Sequence, residues 1–180
     1  MTTYLVRTIC LFAAVAVSTA YAWDPKEAED LHEKAQAAKT QMLDKDPDMQ
    51  RFFDSAVAYV IIPTVGKAGF GIGGARGKGL LYEGEQATAI VTLSQLSVGF
   101  QWGGQAYSEF IFFEDDVGLA DFKRGNYELG AQASAVAVTA GASVDANYNG
   151  GVAIFTQAKG GLMYEASVGG QKFKVEANER

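Results

Sequence analysis

Residues Ile61 to Gly84 read IIPTVGKAGFGIGGARGKGLLYEG, and the fold turns on what their glycines do. Gly69-Phe70-Gly71-Ile72-Gly73-Gly74 matches the G-x-G-x-x-G pattern of dinucleotide loops. Such a loop must open a helix whose N-terminus receives the pyrophosphate. Here Ala75-Arg76-Gly77-Lys78-Gly79 follows, which is poor helix material, and Pro63 separates the loop from the preceding apolar run. A Walker loop fails as well, because Gly79 stands where Ser or Thr must follow Gly77-Lys78. The glycines are instead expected at bends, bulges and close backbone approaches within a sheet.

Outward from this stretch the pattern is mainly β. Val57 to Ile62 is a β-branched apolar run that Pro63 is expected to end. Val98, Phe100 and Trp102 alternate with Gly99, Gln101 and Gly103, and Tyr107 to Phe113 (YSEFIFF) reads as a strong strand. Tyr127, Leu129, Ala131, Ala133, Ala135 and Ala137 share one face of a long candidate strand; Leu162, Tyr164, Ala166 and Val168 do so in another. Asn149-Gly150, Gly160-Gly161 and Gly169-Gly170 are hairpin-turn candidates. Between Asp115 and Lys123 the alternation breaks, and one inserted helix is expected.

Residues 23–55 form a helical lead-in. Asp24-Pro25-Lys26-Glu27 is a helix start, with a capping side chain, a proline at the first position and an acid in the first turn. Ala28, Leu31, Ala35, Ala38 and Met42 then fall on one narrow face. Asp46-Pro47 repeats the signal for a short helix through Phe53. The expected class is α+β: a curled antiparallel β-sheet, barrel- or sandwich-like, with N-terminal helices and one inserted helix. No linker or repeat divides residues 23–180, and a single domain is expected (23–55 helical, 56–180 mainly β).

The first 22 residues read as a signal peptide. Arg7 precedes the apolar Ile9 to Val17, and Ala20-Tyr21-Ala22 is an A-x-A cleavage site. Export is therefore expected, to a periplasm, the periplasmic face of an outer membrane, or beyond the cell. The sole cysteine, Cys10, lies in this leader, so no disulfide is expected downstream. The chain carries a net charge of −6, which argues against nucleic acid as partner, since that binding depends on neutralising phosphates.

Catalytic constellations are scarce. His32 is the only histidine, and Gln36 stands where a zinc H-E-x-x-H motif needs its second. A Ser-His-Asp triad has no histidine to spare. Glu114-Asp115-Asp116 with Asp121 reads as a solvated helix start rather than a carboxylate pair. Asp145-Ala146-Asn147-Tyr148-Asn149-Gly150 opens like a calcium loop, but Thr156 replaces the closing glutamate, so a polar turn is expected. No enzyme, cofactor or metal is expected. The basic residues among the glycines, Lys67, Arg76 and Lys78, with Lys159 beside a further glycine pair, suit anionic headgroups, because exposed backbone N–H groups and cations both bind phosphate.

Taken in order, several segments resemble the SYLF domain family. They are Val60-Ile61-Ile62-Pro63, Lys67-Ala68-Gly69-Phe70-Gly71, Gly77-Lys78-Gly79-Leu80-Leu81 and Ser97-Val98-Gly99-Phe100-Gln101-Trp102-Gly103-Gly104. Phe110 to Phe113, Asn126 to Ala137 and Lys159-Gly160-Gly161-Leu162 continue the series, so the resemblance covers about Arg51 to Asn178. It implies a lipid-binding module; eukaryotic members bind phosphoinositides and some link membranes to actin. Ala87 to Ile90 reads ATAI where the family often has Trp-Ser-x-Pro, so headgroup selectivity is not carried over. Neither is actin linkage, given the export signal. The expected function is an exported, non-enzymatic module on an anionic phospholipid surface. The alternative is an envelope interaction domain that offers its sheet face or N-terminal helix to a protein partner.

Overall fold

The computed structural model describes residues 23–70, 72–98, 103–125, 127–130, 134–144, 146–160 and 166–178. The leader, Gly71, Gly99 to Trp102, Asn126, Ala131 to Ala133, Asp145, Gly161 to Glu165 and the last two residues lie outside the described residues, and with them the Phe100, Trp102, Ala131, Ala133, Leu162 and Tyr164 positions. Helix α1 (Pro25–Lys45) begins as expected: the Asp24 carboxylate accepts from the Lys26 N–H at 3.0 Å and the Glu27 N–H at 3.5 Å. A 3-10 turn (Pro47–Met49) and helix α2 (Gln50–Ser55) follow. Then come β1 (Ala58–Phe70), β2 (Ile72–Glu83), β3 (Gln86–Val98) and β4 (Gly103–Phe113). Helix α3 (Asp116–Lys123) occupies the expected interruption, and its N-terminal Gly118 N–H is capped by Asp115 at 2.9 Å. The chain closes with β5 (Tyr127–Glu128), β6 (Ser134–Ala137), β7 (Val152–Ala158), β8 (Ala166–Ser167) and β9 (Lys172–Ala177).

The strands form one sheet in the order β5-β9-β3-β2-β1-β4-β7-β6-β8. Every pairing is antiparallel except β6 with β7. Phe173 from β9, Ile154 from β7 and Ala135 from β6 meet in one apolar cluster, so the sheet curls into a half-barrel around it. Leu119 and Phe122 of α3 fill the same interior. The outer face is also buried where α1 and α2 lie. Ala28, Leu31, Ala35, Ala38 and Met42 pack over Tyr59, Ile61, Leu80 and Tyr82. Three alanines on that seam let the helix sit close to the sheet, and burying Leu31 and Met42 contributes about 1.5–3 kcal/mol each.

Two expectations are corrected. Pro63 does not end its strand: β1 runs through it, and the register slips between Ile61 and Thr64 there. The bulge keeps a residue without an N–H out of the ladder. Opposite the bulge, a Cβ on Gly79 would meet the Ile61 carbonyl and lie 2.7 Å from the Ile62 Cα, so this glycine marks a close backbone approach, as its composition implied. Nor is the stretch from Tyr127 to Ala137 one strand. Its ends belong to β5 and β6, near opposite ends of the strand order. Leu129 leaves the ladder with its N–H donating to the Gln171 carbonyl at 2.9 Å. Alternation alone does not distinguish one long strand from two short ones in different parts of a sheet.

Candidate functional site

The register sorts the four basic candidates by face. Thr64 pairs with Lys78, Gly66 with Arg76 and Ala68 with Gly74, and strand neighbours directly opposite share a face. Lys67 pairs with Ala75, which lies in the interior cluster. Arg76 and Lys78 thus point to the outer face beside α1, whereas Lys67 points to the inner one. Lys159 joins the outer group, because its ammonium donates to Thr64 Oγ1 at 2.8 Å.

The three outer cations are not equivalent. Lys78 makes an ion pair with Glu27 in the first turn of α1 at 2.5 Å; its charge is spent pinning the helix. Lys159 is tethered by Thr64. Arg76 is exposed and makes no ion pair among the described residues. It borders a depression of about 650 Å³ beyond the helix, floored by Gly66, Ala68 and Gly74. The floor is shallow because two of these residues have no side chain and the third has a methyl. On the rim stand Ser94, the Lys172–Glu128 ion pair at 3.4 Å, and Leu96, 87% exposed. A free guanidinium beside an apolar hollow and an exposed leucine is an amphipathic surface. It supplies one charge-assisted contact to an anion and bare apolar area next to it.

A second opening, of about 600 Å³, lies between the C-terminal turn of α1 and the end of β7. Gln41, Asp44, Lys45, Gln157, Lys159 and Gly160 line it. Of the predicted residues only Lys159 touches it. Gln157 and Asp44 were not among the sequence candidates; the former sits in a mostly apolar strand, VAIFTQA, where a buried glutamine is itself a signal.

Inside the half-barrel lies a buried polar cluster. Glu109 is fully buried, and Gln171 Nε2 donates to its Oε2 at 2.9 Å and to Tyr107 Oη at 3.4 Å. Thr156 stands directly opposite on β7. Burial pushes the Glu109 carboxyl from 4.5 up to about 8, with the Gln171 contact opposing the shift in part. Burial, with the neighbouring Glu109 charge, also pushes the Tyr107 phenol up. Such a shift often marks a catalytic acid, but Glu109 is 0% exposed and lines neither of the two openings.

His32 is on the exposed side of α1 with Nδ1 3.1 Å from Tyr82 Oη. Among the described residues no three His, Cys, Asp or Glu side chains are grouped to hold a metal, and no helix is long and apolar enough to cross a membrane. The tip after Asn149 is a hairpin turn: Asn149 and Val152 exchange backbone hydrogen bonds around Gly150 and Gly151, both at positive φ. Arg51 donates to the carbonyls of Ser143, Val144 and Ala146, and Asp46 accepts from the Ser143 N–H at 2.8 Å. The segment leading into that turn is thereby clamped to the helices.

This architecture is a half-barrel covered outside by a helix and bearing an open amphipathic surface, a geometry suited to binding. Comparison with known proteins agrees. Residues 94–180 match the family model described as Ysc84, Las17-binding protein actin regulator, which is the SYLF family that the sequence motifs resemble. Beta cell expansion factor A of Aeromonas veronii is 25% identical over 160 residues, 85% of this chain. The chain spans 60% of the length of that relative. The family likeness supports a lipid-binding or protein-interaction module.

Proposed function

We propose that the protein is an exported, non-enzymatic module that binds anionic phospholipid headgroups at an envelope membrane surface. The observation that carries this reading is the unpaired, exposed guanidinium of Arg76 beside the glycine-floored hollow and Leu96. In it Arg76 takes the phosphate, Leu96 enters the acyl boundary, and α1 stays in place on its apolar seam. The leader of residues 1–22 delivers the module to the periplasm.

The test is flotation with phosphatidylcholine vesicles, with and without phosphatidylglycerol. Binding should require the anionic lipid and weaken with salt. A basic residue near an anionic surface is worth about 1 kcal/mol, so Arg76→Ala should weaken binding about fivefold. Lys78→Ala should cost less, because Glu27 already neutralises that charge. Equal binding to both vesicle types, or none to either, would sink the reading.

A further inference from the structure

The opening at the end of α1 holds an unusual donor set. Gln157 is 4% exposed, and its Nε2 donates to the Gln41 carbonyl at 3.2 Å. A carbonyl only accepts, so the orientation of the amide is fixed and Oε1 is the atom left over. That oxygen is buried without a hydrogen-bond partner, on a residue that lines the opening. Around it stand two cations, Lys45 and Lys159, and one carboxylate, Asp44. None of the three forms an ion pair among the described residues. Thr64 holds the Lys159 ammonium in place and leaves it two further N–H donors.

A simple anion would satisfy the lysines, but it would face Asp44 and leave Gln157 Oε1 without a donor. A simple cation would do the reverse. Both halves are satisfied by one ligand that carries an anion at one end and N–H donors on a cation at the other. A primary ammonium has three N–H groups; a trimethylammonium has none and leaves Gln157 Oε1 unpaired, at the full cost of a buried orphan acceptor. We infer that this opening is a subsite for a phosphate ester bearing a primary ammonium, the chemistry of phosphoethanolamine. Lys45 and Lys159 take the phosphate, and Asp44 and Gln157 Oε1 take the ammonium. Its delivery as a lipid headgroup rests on the membrane reading above; the subsite chemistry does not.

The experiment has two arms, both on the full-length protein. In the first, vesicles of equal phosphatidylglycerol content are compared with a balance of either phosphatidylcholine or phosphatidylethanolamine. Binding should be about tenfold tighter on the latter, the scale of a hydrogen bond to a charged group. Asp44→Asn, an exposed change that spares the fold, and Gln157→Leu should each abolish that gain. Arg76→Ala should lower both affinities and leave their ratio intact. Equal affinity on the two vesicles, or a gain that survives in Asp44→Asn, overturns the subsite and leaves the membrane reading standing. In the second arm, NMR titration with soluble O-phosphoethanolamine should shift the amide resonances of Gln157 and Lys159, while phosphocholine should not. Shifts with the soluble ester and no vesicle binding keep the subsite and sink the membrane reading. Equal shifts with both esters overturn the subsite.

Discussion

Replacing Glu109 with glutamine should make the protein less sensitive to alkali, by an amount the structure sets. The folded chain holds the Glu109 proton up to about pH 8, whereas the free side chain loses it near 4.5. Between those values the native state binds more protons than the unfolded state, so stability falls as pH rises. The contribution is complete below pH 4.5 and gone above pH 8. Over the full window of 3.5 pH units it amounts to about 5 kcal/mol at 1.36 kcal/mol per unit. Between pH 5 and pH 9 the loss is about 4 kcal/mol, because part has already gone at pH 5. Tyr107, the titratable neighbour bonded to Gln171, is pushed upward and stays neutral across this range. Glutamine keeps the volume, cannot ionise, and offers an N–H toward Thr156 Oγ1, which lacks a partner. Urea unfolding at pH 5, 7 and 9 measures the effect. The two proteins should be similar at pH 5 and diverge steadily, with the variant several kcal/mol more stable at pH 9. Parallel stability curves would show that Glu109 is already charged in the fold, and the account of its burial would be wrong.

Gly79→Ala should cost more than 3 kcal/mol, beyond ordinary overpacking, since its Cβ meets β1 backbone; Gly66→Ala meets nothing within 4 Å and should leave the melting temperature near wild type. Arg51→Ala should cost about 2–3 kcal/mol by freeing the carbonyls of Ser143 and Ala146, and amide exchange from 139 to 148 should accelerate before the rest of the sheet opens. In vesicle flotation, Lys67→Ala should leave affinity near wild type while Arg76→Ala lowers it about fivefold; the opposite order would place the membrane on the inner face.

Much of this fold is legible in the residues because the local signals are strong. Asp24-Pro25 caps α1 where expected, Ala28, Leu31, Ala35, Ala38 and Met42 of that helix turn inward as read, and Asp115 starts the inserted helix. What failed depends on distance along the chain. The continuation of β1 through Pro63 rests on a bulge that only the partner strand makes possible. The split of 127–137 rests on Gln171, more than 40 residues further on, taking the Leu129 N–H. The site was half legible for the same reason. Glycine and cations in one stretch singled out Lys67, Arg76 and Lys78 together, but period-two alternation across a bulge decides the face, and Lys67 lies on the face opposite the other two. Asp44 and Lys45 are too far in sequence from Gln157 for any spacing rule to join them.

The glycine-rich stretch has two uses that pull on different ends of it. At Gly77 and Gly79 the missing side chains let β2 lie against the bulge in β1, and a methyl there meets Ile61, Ile62 or Thr64. At Gly66 the space is open, and packing does not require glycine. If the shallow floor beside Arg76 is what a ligand uses, bulk at Gly66 should be harmless to folding and harmful to binding. Gly66→Leu separates the two: a folded protein with weakened vesicle affinity assigns the outer end of the stretch to recognition. A folded protein with unchanged affinity would leave these glycines no role beyond the sheet, and the recognition surface would have to be sought elsewhere on the outer face.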